Sequence, residues 1–341
     1  MGLKRSKHQP PNHRENPVFQ TNQKTRSIGI WSLGLLWSLG PGAWNLPAQS
    51  LGDSIIRARA GKSEIVITTT ARLAGAIHSL KWDGKEFIDS TDHGRQLQSA
   101  CSFDNSTTAP PETFNPTEAG SRLDGPGPTS TSQLVEFEVE GNRLRTKCRL
   151  AFWLAPGEKS DGYLARNTNA LSRYLLTKTV DIGIGKYPQM LYYRTDFVLP
   201  PEVRHVAAQF EALTGYMPEE FTNFWQFNLQ SGKLESLDDG PGEIQNPIVF
   251  ATADGRHAMG IYGMQLARRI QADPSFNQTG PSYGRWRFKA EKVVKWNCVY
   301  RVRDPNGIPT GTYWHPMLVP IGTLSDVEAM LREQWTEMRR K

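Results

Sequence analysis

The tightest constraint on this chain is its punctuation. From about residue 53 to residue 322, short runs rich in β-branched and aromatic residues alternate with turn-forming pairs. SEIVITTTA (63–71) and LAGAIHSLKW (73–82) are followed at once by Asp83–Gly84 and then by KEFI. An Asp-Gly pair between two such runs marks a two-residue hairpin, because a type I′ turn needs positive φ at both central positions. Asp254–Gly255 repeats the device inside IVFATADGRHAMGIYGMQL (248–266), and Asn306–Gly307 marks a turn after RWRFKAEKVVKWNCVYRVR (285–303). QLVEFEVEGNRLRTKCRLAFWL (133–154) reads as a hairpin with its tip near Glu140–Gly141–Asn142. GRQLQSACSF (94–103), SRYLLTKTVDIG (172–183), MLYYRTDFVL (190–199), FTNFWQFNL (221–229) and YWHPMLVPIG (313–322) read as further strands. VRHVAAQFEALTGYM (203–217) suits either helix or strand, and its β neighbours favour strand.

Only the end carries a helical repeat. Val327, Met330, Leu331 and Gln334 or Trp335 fall on one stripe. Ser325 predicts the N-cap, with Glu328 completing a capping box, which gives a helix over 325–340. The basic end, Arg339 to Lys341, suits the negative end of the helix dipole. Many strands at short spacing with one terminal helix predict an all-β fold, a large β-sandwich or barrel with a C-terminal α-helix.

The net charge of +6 is concentrated at the start. Residues 1–48 hold six basic side chains against Glu15 alone, and the remainder is nearly balanced at 34 basic to 33 acidic. A basic face on the folded part, which nucleic-acid binding requires, is therefore not indicated. The apolar run 28–44, preceded by Lys24–Thr25–Arg26 and followed by small residues near Ala48, has the order of a secretory signal peptide. An uncleaved anchor is the alternative, although the run is short for a spanning helix and is interrupted by Gly40–Pro41–Gly42. The expectation is a secreted or periplasmic protein, with residues 49–341 forming a single domain and no stable membrane insertion after cleavage. Cys101, Cys148 and Cys298 are too far apart for a zinc pattern and lie in strand-like segments, so buried free thiols are expected. No phosphate-binding, dinucleotide or metal fingerprint is present, and no cofactor or metal is expected.

The densest run of site-type side chains is Asp92 to Gly120, DHGRQLQSACSFDNSTTAPPETFNPTEAG. Along an extended strand His93, Arg95, Leu97 and Ser99 share one side, and Gln96, Gln98 and Ala100 the other. The segment Asp104 to Ser132 reads as a loop of about thirty residues, a length usually reserved for function or disorder. His93 suits proton transfer near neutral pH, or else a loop histidine bonded to backbone. Arg95 suits a sugar carboxylate or hydroxyls, or else an ion pair with Asp92 or Glu118. Glu118, in Asn115-Pro-Thr-Glu-Ala-Gly120, is a carboxylate held by a proline-fixed entry and a glycine exit. The candidate catalytic residues are His93 and Glu118. The candidate substrate-binding residues are Arg95, Asp92, Gln98, Asn115, Trp314 and His315. His78 suits the core, and Trp225, Trp286 and Trp296 suit either sugar-stacking platforms or the core, with the core favoured for most of the ten tryptophans.

ARLAGAIHSLKWDGKEFI resembles the opening of galactose-mutarotase-like proteins, the aldose 1-epimerase superfamily, through Gly75–Ala76–Ile77, Ser79–Leu80 and Asp83–Gly84–Lys85–Glu86. DHGRQLQ, NPTEAG and LVPIGTLSDVEAMLREQ are similar to a branch of secreted bacterial proteins of that superfold. The resemblance implies an all-β fold, a large two-sheet β-supersandwich with one C-terminal α-helix, and a carbohydrate site on its concave sheet face. Epimerases of this fold use a histidine acid and a glutamate base, a pair that no motif aligns here. The functional expectation is a carbohydrate-active protein performing glycoside-bond cleavage or epimerisation. The alternatives are a non-catalytic carbohydrate-binding or envelope protein, and a polysaccharide lyase built on Arg95, Asn115 and Tyr192 or Tyr193.

Overall fold

The computed structural model describes residues 51–264 and 278–340. Residues 1–48, expected to be an export signal, lie outside the described residues. Asp83 and Gly84 adopt φ of +49° and +74°, and the turn sets Trp82 opposite Lys85. This is the geometry that the Asp-Gly pair predicts.

Apart from a small separate ribbon, Lys159–Ser160 with Tyr163–Leu164, the main paired strands form two antiparallel layers. The first runs Ser54–Ala60, Ser63–Thr69, Ile77–Trp82, Leu97–Phe103, Ala207–Pro218, Val293–Arg303, Thr279–Phe288 and Gly242–Ile244. The second runs Gln133–Glu140, Arg143–Phe152, Leu171–Ile184, Tyr187–Leu199, Gly311–Gly322, Ala258–Gly263, Ile248–Ala251, Asn223–Asn228 and Lys233–Leu237. Their inner faces meet in one buried cluster, where Ile67, Leu80, Leu213 and Trp296 of the first sheet join Val180, Leu191, Tyr193 and Val319 of the second. Each such side chain contributes about 1.5–3 kcal/mol by leaving water. Two sheets packed face to face select the sandwich from the sandwich or barrel that the strand pattern allows, in keeping with the two-sheet supersandwich that the resemblance implies.

The outer faces differ. Val327, Met330 and Leu331 of the helix Leu324–Arg339 cover Met190, Val249, Ala258 and Leu318 on the second sheet. The outer face of the first sheet is lined instead with polar side chains.

Two local expectations change. The helix is capped by Thr323, not Ser325. Thr323 Oγ1 accepts from the Asp326 N–H (3.2 Å), and the Asp326 carboxylate accepts from the Thr323 N–H (3.0 Å). Thr323-Leu-Ser-Asp supplies a full capping box two residues earlier, and Glu328 pairs with Arg332 instead. The span 104–132 is also not one free loop. Pro116–Thr117 pairs Thr117 with Ala100 on one side and Ala151 on the other, stitching the two sheets together. The residue before a proline is held extended, which favours this strand over a continued coil.

Candidate functional site

The structure gives the Asp92–Gly120 residues close partners within the protein. The strand starts at Leu97, so its alternation does not reach back to His93 and Arg95. His93 is 1% exposed. Its Nδ1 lies 2.6 Å from the Gly125 carbonyl and its Nε2 2.8 Å from that of Arg72. Glu118 is fully buried. One carboxylate oxygen pairs with Lys178, and the other accepts from the Ser99 N–H at 3.0 Å. Neither His93 nor Glu118 presents an atom to solvent, and they do not line a common cleft with Arg95. Arg95 pairs with Asp92 at 3.3 Å, one of the two partners that the sequence allows. Asp92 also accepts from the Gly94 N–H. Gln98 accepts from the Ala119 N–H at 3.1 Å, and the Asn115 carbonyl accepts from the Trp153 N–H. Trp314 lies on the second sheet under the Arg194 guanidinium. His315 is buried among Phe197, Phe210 and Tyr300. Burial holds its ring well below the ordinary histidine range, at about 3.

A different cluster forms on the outer face of the first sheet. Pairing register places Gln98 beside Thr214, Thr214 beside Asn297, and Asn297 beside Gly284. It likewise aligns Tyr216, Lys295 and Trp286. A bulge between Glu211 and Leu213 inserts one residue, so Glu211 and Thr214 project to the same side although three apart. Thr214 Oγ1 donates to Glu211 at 2.9 Å. Asn297 also donates to Glu211 and accepts from the Gly284 N–H at 3.0 Å. Lys295 Nζ lies 3.6 Å from the Glu211 carboxylate. It stands 5.2 Å from the Tyr216 ring centre and 5.0 Å from that of Trp286, within cation–π range. The Trp286 indole lies across Gly284, where a Cβ would collide with the ring and come within 2.6 Å of Asn297 Oδ1.

The electrostatics make this a settled ion pair. Burial works to raise the Glu211 carboxyl, but Lys295 and the bonds from Asn297 and Thr214 outweigh it and hold the group below the usual carboxylate range. Burial works to lower Lys295, but Glu211, Tyr216 and the more distant Glu112 outweigh it and hold the ammonium above its ordinary range. Burial pushes the Tyr216 hydroxyl up, so it stays protonated near neutral pH. Side-chain exposures of 21% for Glu211 and 17% for Lys295 leave both within reach of a ligand. Beyond them along the same strands, Arg301 forks onto Glu243 at 2.7 and 2.8 Å and donates to Gln209 at 2.9 Å. A depression of about 400 Å³ opens there, lined by Asn105, Ala207, Gln209, Thr279, Arg301 and Arg303.

Lys295, Asn297, Thr214 and Tyr216 are absent from the sequence-based candidates. The alternation of Lys295 and Asn297 against Trp296 and Cys298 marks them as one face of a strand. The bulge at Ala212 breaks the matching alternation in residues 207–218, which hides Glu211.

No protein-family model and no curated protein sequence matches the chain. Solved structures of similar shape include Slr1438 protein from Synechocystis sp. PCC 6803, with a TM-score of 0.42 and 10% identity over 80% of this chain and 96% of that one. A galactose mutarotase related enzyme from Lactobacillus acidophilus has the same score and identity, over 80% and 98%. An alpha-mannosidase from Enterococcus faecalis reaches a TM-score of 0.43 at 9% identity, over 81% of this chain and 31% of its own. None of these likenesses bears on the chemistry of the site.

Proposed function

We propose that the protein is exported and takes a carbohydrate on the polar outer face of the first sheet. Glu211 is the general base for epimerisation or glycoside-bond cleavage at the bound sugar. One observation carries the reading: an ionised carboxylate, Glu211, lies beside an ammonium, Lys295, that stands between two aromatic rings, with hydrogen-bonding side chains around the pair. Sugar sites need convergent donors and acceptors together with aromatic faces, and Thr214, Asn297, Tyr216 and Trp286 supply both. Glu211 is ionised and can accept a proton. Tyr216, beside Lys295, stays protonated and can donate a hydrogen bond to a sugar oxygen. The basic Lys24–Arg26 and the apolar run 28–44 support export.

Non-catalytic binding is the second reading, favoured by the pairing of Glu211 with Lys295, which spends the carboxylate on a neighbour. A glycan screen with wild type and Glu211→Gln separates the two. Turnover in wild type that is lost in the variant, with binding kept, establishes the base. Binding without turnover in wild type establishes the second reading. No glycan bound by wild type refutes both.

A further inference from the structure

Resting on the carbohydrate reading above, we propose that the sugar taken on this face is uncharged, and that the face discriminates against uronates and sulfated sugars. An anionic sugar is recognised by a cation without a partner, best an arginine fork. Here the cations have acids of their own. Lys295 has Glu211, and Arg301 has both oxygens of Glu243. Arg95, at the margin nearest Tyr216, has Asp92. A fourth acid, Glu112, adds its field at Lys295 and is held in place by the Ser160 hydroxyl. Lys295 is therefore already balanced by the Glu211 carboxylate 3.6 Å away, and the field of Glu112 acts in the same direction.

A sugar carboxylate or sulfate entering between Tyr216 and Trp286 would meet Glu211 as a like charge. Such juxtaposition is worth at least about tenfold in affinity. An uncharged sugar meets no such penalty, and its hydroxyls find fixed partners. Thr214 and Asn297 are 4% exposed and locked by their bonds to Glu211 and Gly284. Arg303 is the exposed cation of the row. It lies eight residues along the strand from Lys295, roughly 26 Å at the strand rise, where solvent screens it.

The test measures binding of matched hexasaccharides by calorimetry: β-1,4-linked mannose and glucose, and their β-1,4-linked mannuronate and glucuronate counterparts. The expected result is that a neutral member binds at least about tenfold tighter than its uronate, with affinity unchanged between low and high salt. Glu211→Gln frees Lys295 and is expected to raise uronate affinity by about tenfold. Glu112→Gln, on a turn outside the sheet, gives the same direction if Glu211→Gln does not fold. A uronate bound as tightly as its neutral counterpart, or tighter, overturns the inference and leaves the carbohydrate reading standing. Binding of neither class, here and across the wider glycan screen, overturns the carbohydrate reading itself.

Discussion

Lys178→Met removes the cation paired with Glu118 in the interior of the sandwich. Both side chains are at most 1% exposed. The carboxylate would keep one bond, from the Ser99 N–H at 3.0 Å, and the Gly75 carbonyl would lose its 3.2 Å donor. Removing one partner of a buried pair costs about 3–5 kcal/mol, because the remaining charge can no longer be solvated. For a folded part of this size, that lowers the melting temperature by about 10 °C. Glu118→Gln alone is expected to cost a similar amount by stranding the ammonium. The double variant, Glu118→Gln with Lys178→Met, buries no charge and is expected to recover most of the loss. Urea denaturation followed by tryptophan fluorescence measures all three. Single-variant losses below about 1 kcal/mol, or a double variant no better than the worse single, would refute the reasoning. Lost turnover in Glu118→Gln at an unchanged unfolding midpoint would return Glu118 to the chemistry.

His315 is buried, with its folded value depressed to about 3, so it contributes stability above its unfolded value and loses it as pH falls toward 3. The expected acid destabilisation reaches a few kcal/mol, and an acid limb unchanged in His315→Gln would contradict it. Gly284→Ala drives a Cβ into the Trp286 ring, so glycan affinity should fall while the fold, followed by circular dichroism, persists. Thr323→Ala removes the cap of the last helix and should cost about 1 kcal/mol, whereas Ser325→Ala should leave the urea midpoint nearly unchanged.

The strand runs and turn pairs were legible because both depend on neighbours in sequence. Asp83–Gly84 fixes its hairpin by φ alone, and the alternation of 190–199 survives as Leu191 and Tyr193 inside with Tyr192 and Arg194 outside. The site was less legible because it is assembled across strands distant in sequence. Glu211 and Lys295 meet only through a register set by the whole sheet, and the bulge at Ala212 disguises the first of them. The Asp92–Gly120 run stood out for its polar density, yet much of that density ties the first sheet to Pro116–Thr117 and the second. Polar groups taken into an interior need partners, so a dense polar run marks a buried junction as readily as a surface site. In NPTEAG, Glu118 follows the short Pro116–Thr117 strand, and its carboxylate pairs with Lys178 inside the protein.

The central claim is that sugar sits on the outer face of the first sheet. A crystal structure with the tightest-binding oligosaccharide from the screen tests it most directly. The account predicts a sugar ring within hydrogen-bond reach of Glu211 and Asn297 and in contact with Trp286 or Tyr216. A sugar bound at Trp314 on the second sheet, with the Glu211–Lys295 face unoccupied, would contradict it.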